Sequence, residues 1–159
     1  MKSIKTEVKW AFIFIVMMLA WMLMEKLTGL YSENIEWHPV VTNFVAIPAI
    51  TVYVLALLDK RKKDYNGVMT YGQGFKSGLI ITLIVTLFTP LTQYLTTEVI
   101  APEYFPNAIA YTVDNGFMTQ SDAEAFFNLK SYMIQSTIGA PVMGIVTTAI
   151  VAIFTRKKG

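Results

Sequence analysis

The chain alternates long apolar runs with short charged ones, and the apolar runs lack the regularly spaced charge that a soluble surface needs. Trp10–Met24 carries no charge. Continued as a helix through Leu30 it reaches 21 residues, about 30 Å at ~1.5 Å per residue, enough to cross a hydrocarbon core. No small-x-small cleavage site follows, so this run is expected to stay as a first span rather than leave as a signal peptide. Pro39–Leu58 offers twenty uncharged residues for a second span, with Pro39 suited to its first turn and Pro48 expected to kink it. A third span is expected from about Gly72 to Thr97, uncharged from Ser77 onward, and a fourth at Ser131–Thr155. Ser121-Asp-Ala-Glu124 reads as a capping box, predicting a helix that starts there and runs, bent at Pro141, into the fourth span. The pattern therefore predicts one membrane domain over 1–159 with spans at about 10–30, 39–58, 72–97 and 131–155.

Charge turns this pattern into a threading. If both termini and the 59–71 loop lie inside, Lys2, Lys5, Lys9, Lys60, Arg61, Lys62, Lys63, Lys76, Arg156, Lys157 and Lys158 face Glu7, Asp59 and Asp64, a balance of +8. The 31–38 and 98–130 loops and the outer span ends then keep Lys26 and Lys130 against eight acids. Lysine and arginine collect on the cytoplasmic side of membrane proteins, and here they divide eleven to two. The expected fold is all-α: an integral membrane four-helix bundle with cytoplasmic N- and C-termini and an extracytoplasmic helical loop between spans 3 and 4. The net charge of +2 averages two opposite halves, so it offers no case for nucleic acid. Lys60, Arg61, Lys62 and Lys63, with Lys76 and the aromatic anchors Tyr65 and Tyr71, are candidates to meet anionic lipid headgroups at the cytoplasmic face. Glycines between Tyr65 and Gly78 are expected to turn the chain back into the bilayer.

Two spans carry faces that are not plain hydrocarbon. Gly74, Gly78, Thr82, Thr86, Thr89, Gln93 and Thr96 recur every three or four residues along the third, and Ser136, Ala140, Gly144, Thr148 and Ala152 recur every four along the fourth. Small residues let helix backbones approach, and threonine and glutamine can bond across the contact, so the plainer reading is packing. The sharper reading is a polar path along the third span; against it, the stripe holds no ionisable residue below Lys76.

Little else carries chemistry. The chain has no cysteine and a single histidine, His38, which excludes disulfides, thiolate chemistry and multi-histidine metal sites, and no cofactor is expected. Gly72–Gly78 lacks the spacing of a phosphate-binding loop. Glu25, near the outer end of the first span, is expected to snorkel or pair at the surface, with Lys130 a partner for it or for Glu124.

The order Trp21, Glu25, Gly29-Leu30, then Ile47-Pro48 and Tyr53 leading into Asp59-Lys-Arg-Lys-Lys-Asp-Tyr65, then Gly67–Gly78, resembles the bacterial membrane proteins grouped as domain of unknown function 4199. The resemblance covers nearly the whole chain and is most specific over Thr70–Gly78. It implies a four-span architecture in a bacterial inner membrane and transfers no activity or site. Three functions compete. The first is a non-enzymatic structural, regulatory or assembly partner, meeting lipid and a second copy or another membrane protein. The second is a small oligomeric carrier or channel using the third-span stripe, and the third is a membrane enzyme acting on a lipid or interfacial substrate. The first needs only what the residues display.

Overall fold

A computed structural model describes residues 3–157; Lys2 and Lys158 of the charge count lie outside the described residues. Among these residues every regular element is helical: α1 Lys5–Leu27, α2 His38–Val41, α3 Ala46–Asp64, α4 Tyr71–Tyr94, α5 Tyr104–Asp114, α6 Gln120–Phe126 and α7 Leu129–Thr155. Four helical stretches are long and apolar enough to cross a membrane: Lys5–Leu27, Ile35–Asp64, Tyr71–Ile100 and Leu129–Thr155. Their packing is inverted relative to a soluble protein. Leu83, Leu87, Ile138, Met143 and Phe154 point outward, while Glu7, Glu25, Lys60, Thr82 and Thr148 are buried. That distribution suits a hydrocarbon solvent, in which polar groups must find their partners inside the protein.

Local signals set the helix ends, and several differ from the expectation. The first helix stops at Leu27 and not at Leu30, because Gly29 takes φ +73°. Leu30 N–H then bonds Glu25 C=O at 2.9 Å and Gly29 N–H bonds Lys26 C=O at 3.0 Å, the paired bonds of a Schellman stop. The second helical stretch starts earlier, at Ile35, and continues through the basic run to Asp64. Pro48 acts near its start: the backbone tightens to 3₁₀ geometry over Thr42–Val45 before α3 begins, where the proline cannot supply the usual N–H. The 65–70 turn that follows takes the left-handed backbone at Asn66 (φ 50°) and Gly67 (φ 86°). Gly72, Gly74 and Gly78 are not turn residues; they belong to α4. Thr70 and Gln73 open that helix by reciprocal bonds, Thr70 N–H to Gln73 Oε1 at 2.9 Å and Gln73 N–H to Thr70 Oγ1 at 3.3 Å. The helix expected from Ser121 is instead capped by Thr119, whose Oγ1 accepts from Asp122 N–H at 3.2 Å. It ends at Phe126, and α7 starts anew at Leu129, with Asn128 Oδ1 accepting from Ser131 N–H at 2.9 Å.

The helices contribute to two compact units. The first takes Met1–Met17, Ala46–Phe88 and Ile138–Gly159, and the second Met18–Val45 and Thr89–Thr137. In the first, Ala11, Tyr53, Ala56, Leu57, Met69, Ile81, Val151 and Ala152 form the core. Met69 and Lys157 exchange both backbone bonds (3.1 and 2.9 Å), which fastens the 65–70 turn to the end of α7. In the second, the core is aromatic: Tyr31, Ala101, Tyr104 and Ala108, flanked by Met22, Phe105, Phe127 and Tyr132.

Candidate functional site

In the first unit the two small-residue faces meet. Helices α4 and α7 run antiparallel, so each step of four along one meets a step of four along the other. Gly74 faces Ala152, Gly78 faces Thr148 and Thr82 faces Gly144. A Cβ added at Gly78 would overlap the Thr148 side chain, and one added at Gly144 would overlap that of Thr82. Each threonine therefore fills the space that a glycine opposite leaves open. The hydroxyls of the stripe turn to their own helix: Thr82 Oγ1 donates to Gly78 C=O and Thr86 Oγ1 to Thr82 C=O, both at 2.9 Å. Thr82 Oγ1 also lies 2.8 Å from the Tyr53 hydroxyl of α3. Thr148 Oγ1 is buried without a hydrogen-bond partner among the described residues, a penalty of about 1–3 kcal/mol that its close seat on Gly78 must offset. In the second unit, Thr89 is buried, Gln93, Thr96 and Ser136 are half-buried, and Thr96 and Ser136 hydroxyls donate to backbone carbonyls four residues back. Ala140, in the first unit, is half-buried.

The basic run does not present its four cations alike. Lys60 is 3% exposed and turned inward, where Nζ reaches Glu7 at 2.9 Å, Asp64 at 3.0 Å and Ser3 C=O at 2.8 Å. Glu7, itself 2% exposed, also accepts from Ser77 Oγ of α4 at 2.9 Å. A cleft of about 400 Å³ opens beside them, lined by Glu7, Lys60, Gln73, Lys76 and Ser77 among others. Arg61 donates to Thr155 C=O at 2.8 Å, and Lys63 pairs with Asp59 at 3.1 Å. Lys62 and Lys76 stay exposed and make no ion pair among the described residues. Tyr71 stacks on Phe75 with ring centroids 5.8 Å apart, and Tyr65 packs against the first core.

The second unit holds a cluster that sequence reasoning assigned to the surface. Glu25 does not snorkel; it is 0% exposed. Its Oε1 accepts from Trp21 Nε1–H, one helical turn earlier, at 2.7 Å, and its Oε2 accepts from the Tyr31 hydroxyl at 2.6 Å. The Schellman stop at Gly29 makes this possible, because it folds Tyr31 back onto the last turn of α1. His38 Nε2 lies 3.9 Å from Glu25 Oε2. Its ring packs against both Tyr31 and Tyr104, at centroid distances of 5.3 and 5.1 Å, and those two rings lie 4.9 Å from each other. The Tyr104 and Tyr132 hydroxyls lie 3.0 Å apart, and Asn107 donates to Tyr31 C=O at 2.8 Å. Burial pushes the Tyr31 phenol well above its ordinary range, reinforced by its bond to Glu25, and burial does the same for Tyr104. Both therefore remain hydrogen-bond donors. Lys130 does not serve Glu25: it is exposed, and Glu124 takes Gln120 instead, at 2.6 Å. The i, i+4 spacing of Trp21 and Glu25 and the glycine four residues on were the available signal for this cluster.

Four apolar helices, with polar side chains turned inward onto one another, define a multi-pass integral membrane protein. The chain belongs to the family described as "Protein of unknown function (DUF4199)", whose model matches residues 9–157. Neither the curated proteins nor the solved structures contain a match.

Proposed function

We propose that this protein is a non-enzymatic packing or assembly partner of the bacterial inner membrane, threaded with both termini and the 59–71 segment in the cytoplasm. The observation that carries the reading is the closed contact of α4 on α7: Thr148 fills the space over Gly78, Thr82 fills that over Gly144, and the Thr82 and Thr86 hydroxyls are spent on backbone carbonyls. At Gly74, Gly78 and Thr82 the face is covered by α7, which supports packing over a solute path there. The threading draws support from the eleven-to-two division of lysine and arginine. Lys62 and Lys76, exposed and without an ion pair among the described residues, are the cations we assign to anionic headgroups. A protein partner, a second copy or another membrane protein, would meet the outward apolar faces.

The carrier reading gains from one observation. Glu7, a buried acid, accepts from Ser77, which precedes Gly78 of the stripe, and buried ionisable groups in spans mark many ion routes. Replacing Thr82, Thr86 and Thr89 together by valine separates the two. Side-chain bonds in membranes average ~0.6 kcal/mol, so a packed face should keep folding and still complement a deletion strain. A triple variant that is well expressed and monodisperse but inactive would overturn the packing reading in favour of a wet path.

A further inference from the structure

The cleft beside Lys60 lies wholly within the first unit, among the start of α1, the end of α3 and the first turns of α4. At about 400 Å³ it falls in the ~300–1,000 Å³ range of small-molecule sites. Its charged lining is Glu7, Lys60 and Lys76. The first two are already spent. Lys60 gives the three donors of its ammonium to Glu7, Asp64 and Ser3 C=O, and the Glu7 oxygens hold Lys60 and Ser77. Lys76 is exposed and has no ion pair or hydrogen bond among the described residues, so it is the charge in the lining left for a ligand. Gln73 uses Oε1 on Thr70 N–H, and what it can still offer is its amide N–H groups. On α4, Gln73, Lys76, Ile80, Leu83 and Leu87 follow at steps of three and four and share one face. That face changes character along its length, from donors at the cleft, through Ile80 on the cleft wall, to Leu83 and Leu87, which are 61% and 71% exposed. Phe12 of α1 meets Phe88 of α4 at 5.3 Å, so α1 stays beside α4 along this stretch.

We propose that this cleft is a binding site for one anionic glycerophospholipid, whose phosphate meets Lys76 and Gln73 and whose acyl chain lies along Leu83 and Leu87. The proposal rests on the assignment of Lys76 to anionic headgroups and narrows it from a diffuse attraction to a single seat. A phosphodiester suits the lining, because it only accepts, and the groups left to meet it are an ammonium and an amide donor. A cationic ligand would find the carboxylate of Glu7 already bonded on both oxygens. A free phosphate would meet the same donors and leave the apolar continuation unused; Leu83 and Leu87 call for a ligand with a chain. Lys62 is exposed like Lys76 but takes no part in the cleft lining, so it offers lipid only the general attraction of a basic surface.

Native mass spectrometry of the delipidated protein in detergent, titrated with dioleoyl phosphatidylglycerol, counts the bound lipid. One molecule should bind and saturate. Dioleoyl phosphatidylcholine, with the same chains and no net charge, should bind about tenfold more weakly, the loss of one charge-assisted hydrogen bond. Lys76→Gln should weaken phosphatidylglycerol by about the same factor, while Lys76→Arg and Lys62→Gln should leave it in place. Glycerol phosphate, the headgroup chemistry without chains, should not displace the lipid at equal concentration. Equal weakening by Lys76→Gln and Lys62→Gln would overturn the single seat and leave the general attraction of both cations standing; weakening by neither would remove that attraction as well. Displacement by glycerol phosphate would overturn the lipid as occupant. The triple-valine variant that tests the packing reading leaves this lining untouched, so the two readings fail separately.

Discussion

Gly139 and Gly144 lie one turn and a residue apart in α7, and the same substitution should have opposite effects at the two. A Cβ at Gly139 meets nothing within 4 Å, whereas one at Gly144 overlaps Thr82. Gly139→Ala should therefore stabilise the helix by up to ~1 kcal/mol through propensity alone. Gly144→Ala should lower stability by about 1–3 kcal/mol, the usual cost of overpacking, and adding Thr82→Ala should recover part of that loss. Thermal unfolding of the three detergent-solubilised variants beside the wild type checks this; equal melting of Gly139→Ala and Gly144→Ala would remove Gly144 from the contact. The four-residue repeat made both faces legible in the sequence, but not which glycine is closed over, because that depends on the partner helix. Glu25 was legible less well. An acid at a span end reads as a surface group, and only the backbone reversal at Gly29 brings Tyr31 onto it. Lys60 was hidden among three neighbouring cations; one turn of helix directs it to Glu7 while Lys62 faces outward.

At the level of elements, composition located all four spans, while their ends depended on local geometry that hydropathy does not report. A run of four cations reads as a loop, yet lysine and arginine are good helix formers and sit well at a helix C-terminus, so α3 continues through them to Asp64. The Thr70–Gln73 and Thr119–Asp122 caps are plain in retrospect, but each competed with a neighbouring glycine run or a second Ser-x-x-Glu match. These ends decide where threading can be tested. Tags belong in turns, so epitopes are best placed at Asn66–Gly67, at Gly116 beyond α5, and after Gly159. In intact bacterial cells with a permeabilised outer membrane, the Gly116 tag should be reached by an impermeant reagent and the other two should be protected. Labelling of the C-terminal tag in the same cells would contradict a cytoplasmic C-terminus.

At the scale of the whole molecule, apolar surface outside and inner polar groups that, Thr148 Oγ1 apart, have partners among the described residues make one consistent statement about solvent. Lipid rewards no burial of leucine, so the helices are held by close backbone approach and by polar pairs such as Glu7–Lys60 and Glu25–Tyr31. The closed α4–α7 face is the claim from which the functional reading follows, and the chain's lack of cysteine allows it to be tested without background. Added Cβ atoms at Gly74 would lie 3.5 Å from the Ala152 Cβ, at the near edge of the ~3.5–4.5 Å range that a disulfide spans. The Gly74→Cys/Ala152→Cys variant, oxidised mildly in native membranes, should close a bond within one chain, visible as an intramolecular mobility shift that reductant reverses. Failure to cross-link, or cross-linking only between chains, would contradict the account by showing that this face of α4 is not covered by its own α7.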